Sequence, residues 1–230
     1  MLNLSPLVKD NPHNYNAIRS GFLSWGYLTR KAISDFLDID SSELSVGFNI
    51  TPQEKRAETF FVEKLENGAG YCNYLSGRDY PNVPYDAFIK PLIKGGSLYN
   101  HLVNSNHGKD CLSSCYDCIR DYSNQDIHAL LDWRLGLDLI NLANDSKYTI
   151  DFNSEYWNQF VFETTKMILE KQGFKNILEN NGTLIGDTLY DERFILVHPF
   201  WSDKYVDEII DDQADKYKCI SVVNISKFTY

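Results

Sequence analysis

The sequence predicts an α+β protein in which a β-hairpin precedes a helical, cysteine-containing module and a small α/β unit follows it. Three observations predict this class: apolar residues at helical spacing near the N-terminus, two short alternating segments that can pair, and short strand-like segments towards the C-terminus. The change in pattern near residue 145 indicates two domains, residues 1–145 and residues 146–230. Apolar residues make up 43% of the 230 residues, which is enough to build a core.

The pattern of the first half predicts mostly helices after the hairpin. Residues 14–38 carry apolar side chains at helical spacing, and the alternation of Leu44–Ile50 is typical of a half-buried strand that can pair with Thr59–Val62. The expected helices that follow begin near Tyr71, cover residues 87–105 with a break permitted at Gly95–Gly96, and cover residues 126–144.

The second half has the alternating pattern of helices and strands that is typical of a small α/β unit. The expected elements, in chain order, are a helix at 154–173 ending at Gly173, strands at 182–187 and 193–198, a helix at 203–217 and a strand at 219–225.

Composition and charge exclude several classes of protein. The net charge is −10, and residues 151–230 carry 8 basic against 14 acidic side chains, so the chain does not coat nucleic acid by bulk charge. No run of 18 apolar residues is present, which excludes a transmembrane helix of ordinary length. The N-terminal residues lack the basic and apolar regions of a secretory signal, so we expect a cytoplasmic protein.

Three of the five cysteines form the motif Cys111-x3-Cys115-x2-Cys118, which predicts a zinc site. Thiolates are soft ligands, and structural zinc takes four ligands in tetrahedral geometry. Cys72, in a glycine-rich turn, is the first candidate for the fourth ligand, and His107 and His128 are the alternatives. Three buried reduced cysteines or a redox Cys-x2-Cys pair would give the same sequence pattern.

Polar residues between 124 and 134 form a second constellation. Asn124, His128 and Asp132 are spaced i, i+4 and i+8, so a continuous helix would place them on one face, followed by Arg134. They could bind phosphate or orient a metal ligand, but a capped helix with a hydrogen-bonded polar stripe is the more ordinary interpretation.

Two further patterns could form an anion-binding or a metal-binding site. The glycine-rich turn at residues 66–70 could cradle an anion, although close packing of the backbone is the commoner use of such a turn. Carboxylates in the C-terminal half could hold Mg²⁺ for a nuclease, although they are more typical of solvated turns; they are Glu163, Asp187, Asp191 and Glu192.

Several short motifs within residues 18–140 form a specific combination. The main motifs are Leu65–Cys72 (LENGAGYC), Cys111–Cys118 (CLSSCYDC), Asn124–Gln125 with His128, and Leu131–Arg134 (LDWR). Shorter matching segments precede them at Phe36–Asp40, Glu43–Leu44 and Val46–Gly47, and a weaker match lies outside this range at Ile195–Trp201. This combination resembles the C-terminal domain of DrmB proteins, from DISARM antiphage-defence systems, and the related cysteine-rich domain of MrfA-type DNA-repair helicases.

The resemblance implies a zinc-binding accessory domain that works beside a helicase on DNA, with Cys72, Cys111, Cys115 and Cys118 as the zinc ligands. The sequence has no Walker A lysine loop and no Asp-Glu-x-His box, so we expect a non-catalytic subunit whose partner is a helicase-like ATPase. The candidate contacts with nucleic acid or with this partner are Lys90, Lys94, Arg120 and Arg134. The competing hypotheses are a magnesium-dependent nuclease and a metal-free interaction scaffold.

Overall fold

A computed structural model describes residues 12–51, 56–66, 68–104, 106–210 and 216–225 of the chain. The described residues form two compact units, the first made of residues 18–148 and the second of residues 12–17 together with residues 149–225. The first unit contains a two-stranded sheet among helices and the second contains a four-stranded sheet, so the predicted α+β class is confirmed. No helix in these described ranges is long and apolar enough to cross a bilayer.

The first unit is built on a long helix and a hairpin, as predicted. Helix α1 (Pro12–Leu37), which belongs to this unit from Ile18 onward, buries an apolar stripe that includes Phe22 and Leu28. Strands β1 (Leu44–Thr51) and β2 (Arg56–Glu63) pair antiparallel. The hydroxyl of Thr59 in β2 donates to the carbonyl of Phe22 at 3.0 Å, which fastens the hairpin to α1.

Short helices fill the rest of the first unit. They are α2 (Tyr71–Leu75), a π-helical turn (Tyr85–Ile89), α3 (Ser97–Asn104), α4 (Asn106–Asp110), a 3-10 segment (Tyr122–Leu130) and α5 (Trp133–Asn144). The break permitted at Gly95–Gly96 occurs, with Gly95 at a φ of +90°.

The continuous helix predicted over residues 126–144 is wrong. Asp132 has an extended backbone, with φ −139° and ψ 113°, and its carboxylate accepts the N–H of Arg134 as the N-cap of α5. The residues before it wind as a 3-10 segment, whose period of three differs little from the α-helical period over nine residues.

Helix α5 packs closely on α1 at a glycine. A Cβ atom added to Gly136 would lie 2.6 Å from Cδ1 of Leu28 and 3.0 Å from the backbone carbon of Ser24. The helices therefore approach each other at a distance that an alanine does not allow.

We expect Gly136→Ala to destabilise the protein by about 1–3 kcal/mol, because overpacking outweighs the roughly 1 kcal/mol by which alanine favours a helix over glycine. Urea unfolding of the variant and the wild-type chain measures this difference. Adding Leu28→Ala should cost less in the Gly136→Ala chain than in the wild-type chain, because it removes a side chain that the new methyl group meets. A Gly136→Ala protein as stable as the wild type would contradict this account of the packing.

The second unit contains a mixed sheet in the order β3-β4-β5-β6. Strands β3 (Lys175–Asn180), β4 (Thr183–Asp187) and β5 (Arg193–Val197) are antiparallel neighbours, and β6 (Lys218–Ser221) lies parallel to β5. The two strands predicted for β4 and β5 are confirmed, whereas β3 was not predicted.

The helices of the second unit are shorter than predicted. The region at 154–173 contains a π-helical turn (Phe160–Thr165) and α6 (Lys166–Lys171), with Gly173 at a φ of +86° after its end. Helix α7 (Asp203–Ile209) covers only the start of the predicted helix at 203–217, of which residues 211–215 lie outside the described residues. The predicted last strand ends at Ser221, where α8 (Val222–Ile225) begins.

Aromatic side chains form the core of the second unit around a buried histidine. His198 is 1% exposed, and the rings of Phe152, Trp157, Phe200 and Trp201 lie within 6.2 Å of its ring. The aromatic pair that follows His198 therefore packs against the core of this unit.

Candidate metal centre

Four side chains from one stretch of the first unit converge on a single point. The ligand atoms of His107, Cys111, Cys115 and Cys118, hereafter the Cys3His cluster, all lie within 4.8 Å of one another. The Sγ atom of Cys118 lies 4.0 Å from that of Cys111 and 3.7 Å from that of Cys115. Among the residues that the structure describes, no other group of three or more histidine, cysteine or acidic side chains has this geometry.

Local backbone structure places these four ligands. His107 lies in α4 and Cys111 follows four residues later, where its N–H still donates to the carbonyl of His107 at 2.9 Å. This helical spacing puts both side chains on one side of the turn. Cys115 and Cys118 bracket a tight turn, in which the N–H of Cys115 donates to the Sγ atom of Cys118 at 3.1 Å.

The imidazole of His107 is oriented as a metal-binding histidine would be. Its Nδ1 atom lies 3.2 Å from the carbonyl oxygen of Leu102, so Nδ1 donates and Nε2 is the nitrogen left to bind a metal. The side chain is buried, with its ring 5.5 Å from that of Trp133. A histidine ring whose tautomer and orientation are fixed in this way loses less conformational entropy when it binds a metal.

The charges within the Cys3His cluster favour a thiolate at Cys118. A hydrogen bond from Cys111 lowers the pKa of the Cys118 thiol to about 4 against the opposing effect of burial, and His107 adds to the lowering. The same hydrogen bond, together with burial, raises the pKa of Cys111, and burial raises that of Cys115. The contacts thus favour a thiolate at one of the three sulfurs, and a bound divalent cation would stabilise thiolates at the other two.

This set of donors fits zinc. Three thiolates and one imidazole form one of the usual four-ligand sets of structural zinc sites, and soft sulfur donors disfavour Mg²⁺ and Ca²⁺. The sequence predicted the three clustered cysteines, and the structure brings in His107, one of its two alternatives, as the fourth side chain.

Cys72 does not belong to the Cys3His cluster, which corrects its assignment as a zinc ligand. Its Sγ atom instead lies 3.7 Å from the carbonyl oxygen of Phe61, in the neighbouring strand β2. The glycine-rich turn before it wraps around the carboxylate of Glu63, which accepts the backbone N–H groups of Ala69, Gly70 and Cys72 at 2.5–2.9 Å. The anion in this cradle is therefore the protein's own side chain, and the turn fastens α2 to the hairpin.

Glu63→Gln is expected to weaken this turn in a pH-dependent way. The backbone hydrogen bond from Cys72 is the main cause that lowers the pKa of Glu63 below its ordinary value of 4.5. The stability that the carboxylate contributes is therefore complete above pH 4.5 and is lost as the pH falls through the lower folded-state value. Urea unfolding should show a stability difference between wild type and variant at pH 7 that shrinks below pH 4.5. A difference that stays constant with pH would contradict the assigned role.

His128 is also outside the Cys3His cluster. Its Nε2 atom lies 2.7 Å from Oδ1 of Asn124, which in turn accepts the N–H of Asp121 at 2.9 Å. Asp121 and Asn124 form the capping box of the 3-10 segment, and Asp132 caps α5 separately, so the single polar helix face predicted for Asn124, His128 and Asp132 does not exist. The contacts support the capping and local hydrogen bonding of the more ordinary interpretation, but not its continuous stripe.

The four basic residues predicted to contact nucleic acid or a partner have different environments. Lys90 and Lys94 are exposed, and Lys90 pairs with Asp86 at 3.3 Å. Arg120 is half-buried, and its Nε donates to the hydroxyl of Ser114 at 2.9 Å. Arg134 is only 1% exposed, which removes it from any surface that a nucleic acid could reach.

The carboxylates proposed for a magnesium site are engaged in local structure. Asp187 accepts a hydrogen bond from Asn176 at 2.6 Å, and Glu192 pairs with Lys218 at 3.4 Å. Asp191 has a φ of +59° in the turn between β4 and β5. The structure thus gives the nuclease hypothesis no group of three metal-binding side chains among these described residues.

Comparisons with known proteins return one weak similarity. The chain is 28% identical over 111 residues to the Druantia protein DruE of Escherichia coli (strain UMEA 4076-1). The match covers 46% of this chain and 5% of that much longer protein. No protein-family model and no solved structure matches the chain. The comparisons therefore support a similarity to a Druantia protein and show no match to DrmB or to MrfA-type proteins.

Proposed function

We propose that this chain is a zinc-binding accessory subunit of a helicase-associated, DNA-targeting bacterial antiphage-defence complex. The observation that carries the proposal is the convergence of three sulfur atoms and one imidazole within 4.8 Å in a buried part of the first unit. A site closed by four protein ligands leaves no open coordination position, so the zinc would stabilise structure and not perform catalysis.

Zinc in this position would stabilise the helical part of the first unit. The Cys3His cluster joins the end of α4 to the loop that leads into the 3-10 segment, a region with little regular hydrogen bonding of its own. Metal binding of this kind contributes directly to the free energy of folding.

The assignment to defence rests on two similarities. The Druantia protein DruE matches part of this chain, and the combination of the LENGAGYC, CLSSCYDC and LDWR motifs resembles DrmB. Both similarities are to proteins of antiphage systems. The resemblance to DrmB and MrfA is the reason why we propose a helicase-like partner. The exposed side chains of Lys90 and Lys94 are the proposed contacts with DNA or with that partner, and half-buried Arg120 is a third.

The proposal is tested by co-purification with the helicase-like ATPase encoded at the same locus. We expect the two proteins to elute as one complex and the chain to increase the DNA affinity or the DNA-stimulated ATPase rate of its partner. Lys90→Glu combined with Lys94→Glu should weaken this effect, whereas Lys171→Glu combined with Lys204→Glu, two exposed lysines of the second unit, is the matched control. No complex and no change in DNA binding or ATPase rate would contradict the accessory role.

A further inference from the structure

The first two residues of α5 hold the backbone of the metal-binding loop. The guanidinium of Arg134 donates to the carbonyl oxygen of Leu112 at 2.8 Å and to that of Cys111 at 3.2 Å. The backbone N–H of Trp133 donates to the carbonyl of Ser113 at 2.9 Å. The carbonyls of three consecutive residues, Cys111 to Ser113, thus accept hydrogen bonds from two adjacent residues.

These contacts replace secondary structure where the loop has none. The residues from Cys111 to Ser114 are in neither a helix nor a strand, yet Cys111 is buried and has to direct its sulfur into the Cys3His cluster. Buried carbonyls need donors, and Arg134 supplies two of them from one rigid fork. Its planar group also lies 4.4 Å from the Trp133 ring, which restricts its orientation.

Arg134 also carries a charge of the sign that the loaded site requires. Three thiolates, a neutral imidazole and Zn²⁺ give the Cys3His cluster a net charge of −1 when metal is bound. Arg134 is 1% exposed, and the buried carboxylate of Asp132, 3.7 Å away, offsets part of its charge. A buried cation beside a site that becomes anionic on metal binding favours the loaded state.

We propose that Arg134 is the positioning residue of this metal centre, which fixes the backbone of Cys111 and Leu112 and places a positively charged group beside the loaded Cys3His cluster. The inference rests on the zinc site of the proposed function and adds a role for a side chain that binds no metal. It also explains why an arginine is buried next to the cysteine loop.

The test compares Arg134→Met and Arg134→Lys in the full chain, by zinc competition with a chromophoric chelator. We expect Arg134→Met to lower zinc affinity by about 10–100-fold, the usual loss when an outer partner of a ligand is removed. Arg134→Lys keeps the positive charge but cannot donate to both carbonyl oxygens from one planar group, so its zinc affinity should lie between those of Arg134→Met and the wild type. The visible spectrum of bound Co²⁺ should change in both variants, because it reports ligand geometry.

Arg30→Met is the matched control, since Arg30 is a second buried arginine of the same unit and pairs with Asp121. It should lower stability without changing zinc affinity or the Co²⁺ spectrum. If Arg134→Met does not fold, the affinity and spectrum of Arg134→Lys decide the question. A wild-type chain that binds zinc, with Arg134 variants that bind it equally well and show the same spectrum, would overturn this inference alone; a folded wild-type chain without zinc would overturn the proposed function.

Discussion

Cys118→Ser is expected to lower the zinc affinity of this chain by more than the roughly 10–100-fold that removal of an outer hydrogen-bond partner costs, because it removes a ligand. Cys118 is the centre of the Cys3His cluster, lying within 4.0 Å of the other two sulfurs. The hydrogen bond from Cys111 lowers the pKa of its thiol to about 4, which favours the thiolate that a soft metal ion binds. A serine hydroxyl at this position supplies no comparable anion.

The same substitution should destabilise the first unit. Structural zinc contributes on the order of 10 kcal/mol to the folding of small zinc domains, so the variant should melt as the wild-type chain does in strong chelator. Thermal unfolding with and without chelator measures this. Cys219→Ser is the matched control, because Cys219 is an exposed cysteine of β6 in the second unit, and it should leave both zinc content and melting unchanged. A Cys118→Ser protein that retains zinc with wild-type affinity would contradict the assignment.

His107→Ala is expected to weaken zinc binding to a similar extent, whereas Cys72→Ser and His128→Ala should not. His107 is part of the Cys3His cluster, while Cys72 contacts the carbonyl of Phe61 and His128 contacts Asn124. The three variants therefore separate the three candidates for the fourth ligand.

Zinc affinity by chelator competition and the Co²⁺ spectrum are the measurements for this second prediction. Loss of an imidazole leaves three sulfurs and an open position that water can fill, so the cobalt bands should shift in His107→Ala alone. Cys72→Ser tests the same site with a change of the same chemical kind as Cys118→Ser. A Co²⁺ spectrum that changes in Cys72→Ser but not in His107→Ala would identify Cys72 as the fourth ligand and contradict the Cys3His cluster.

The three cysteines of the Cys3His cluster could be predicted from the sequence because their spacing is local. The fourth ligand was assigned to Cys72 because of its chemistry and its glycine-rich turn, although His107 precedes Cys111 by one helical turn and could have been found from that spacing. What excludes Cys72 is the wrapping of its turn around Glu63, a contact between segments of the chain that no spacing reveals.

The role of Arg134 could not be predicted for a related reason. Arginine is usually a surface residue, and only the tertiary structure shows that this one lies 1% exposed beneath the cysteine loop. The break at Asp132 was hidden because apolar residues continue across it at a spacing that suits both a 3-10 segment and an α-helix. Strand β3 was missed because only Ile177 of its residues is buried, which leaves no alternating pattern.

The fold class and the hairpin were predictable because they depend on periodicity within single segments. The pairing of Leu44 with Glu63 follows from two adjacent strands with a short connection. The Cys3His cluster depended on one local motif and on one neighbour of that motif, so most of the site was within reach of sequence reasoning.

The central claim is that this chain holds one zinc ion in the Cys3His cluster. It is tested most directly by the metal content per chain of wild-type protein purified without added metal, measured by elemental analysis beside Cys118→Ser. The account predicts one zinc per wild-type chain and little in the variant. A properly folded wild-type protein without bound metal would contradict the claim and would favour a metal-free scaffold with three buried thiols.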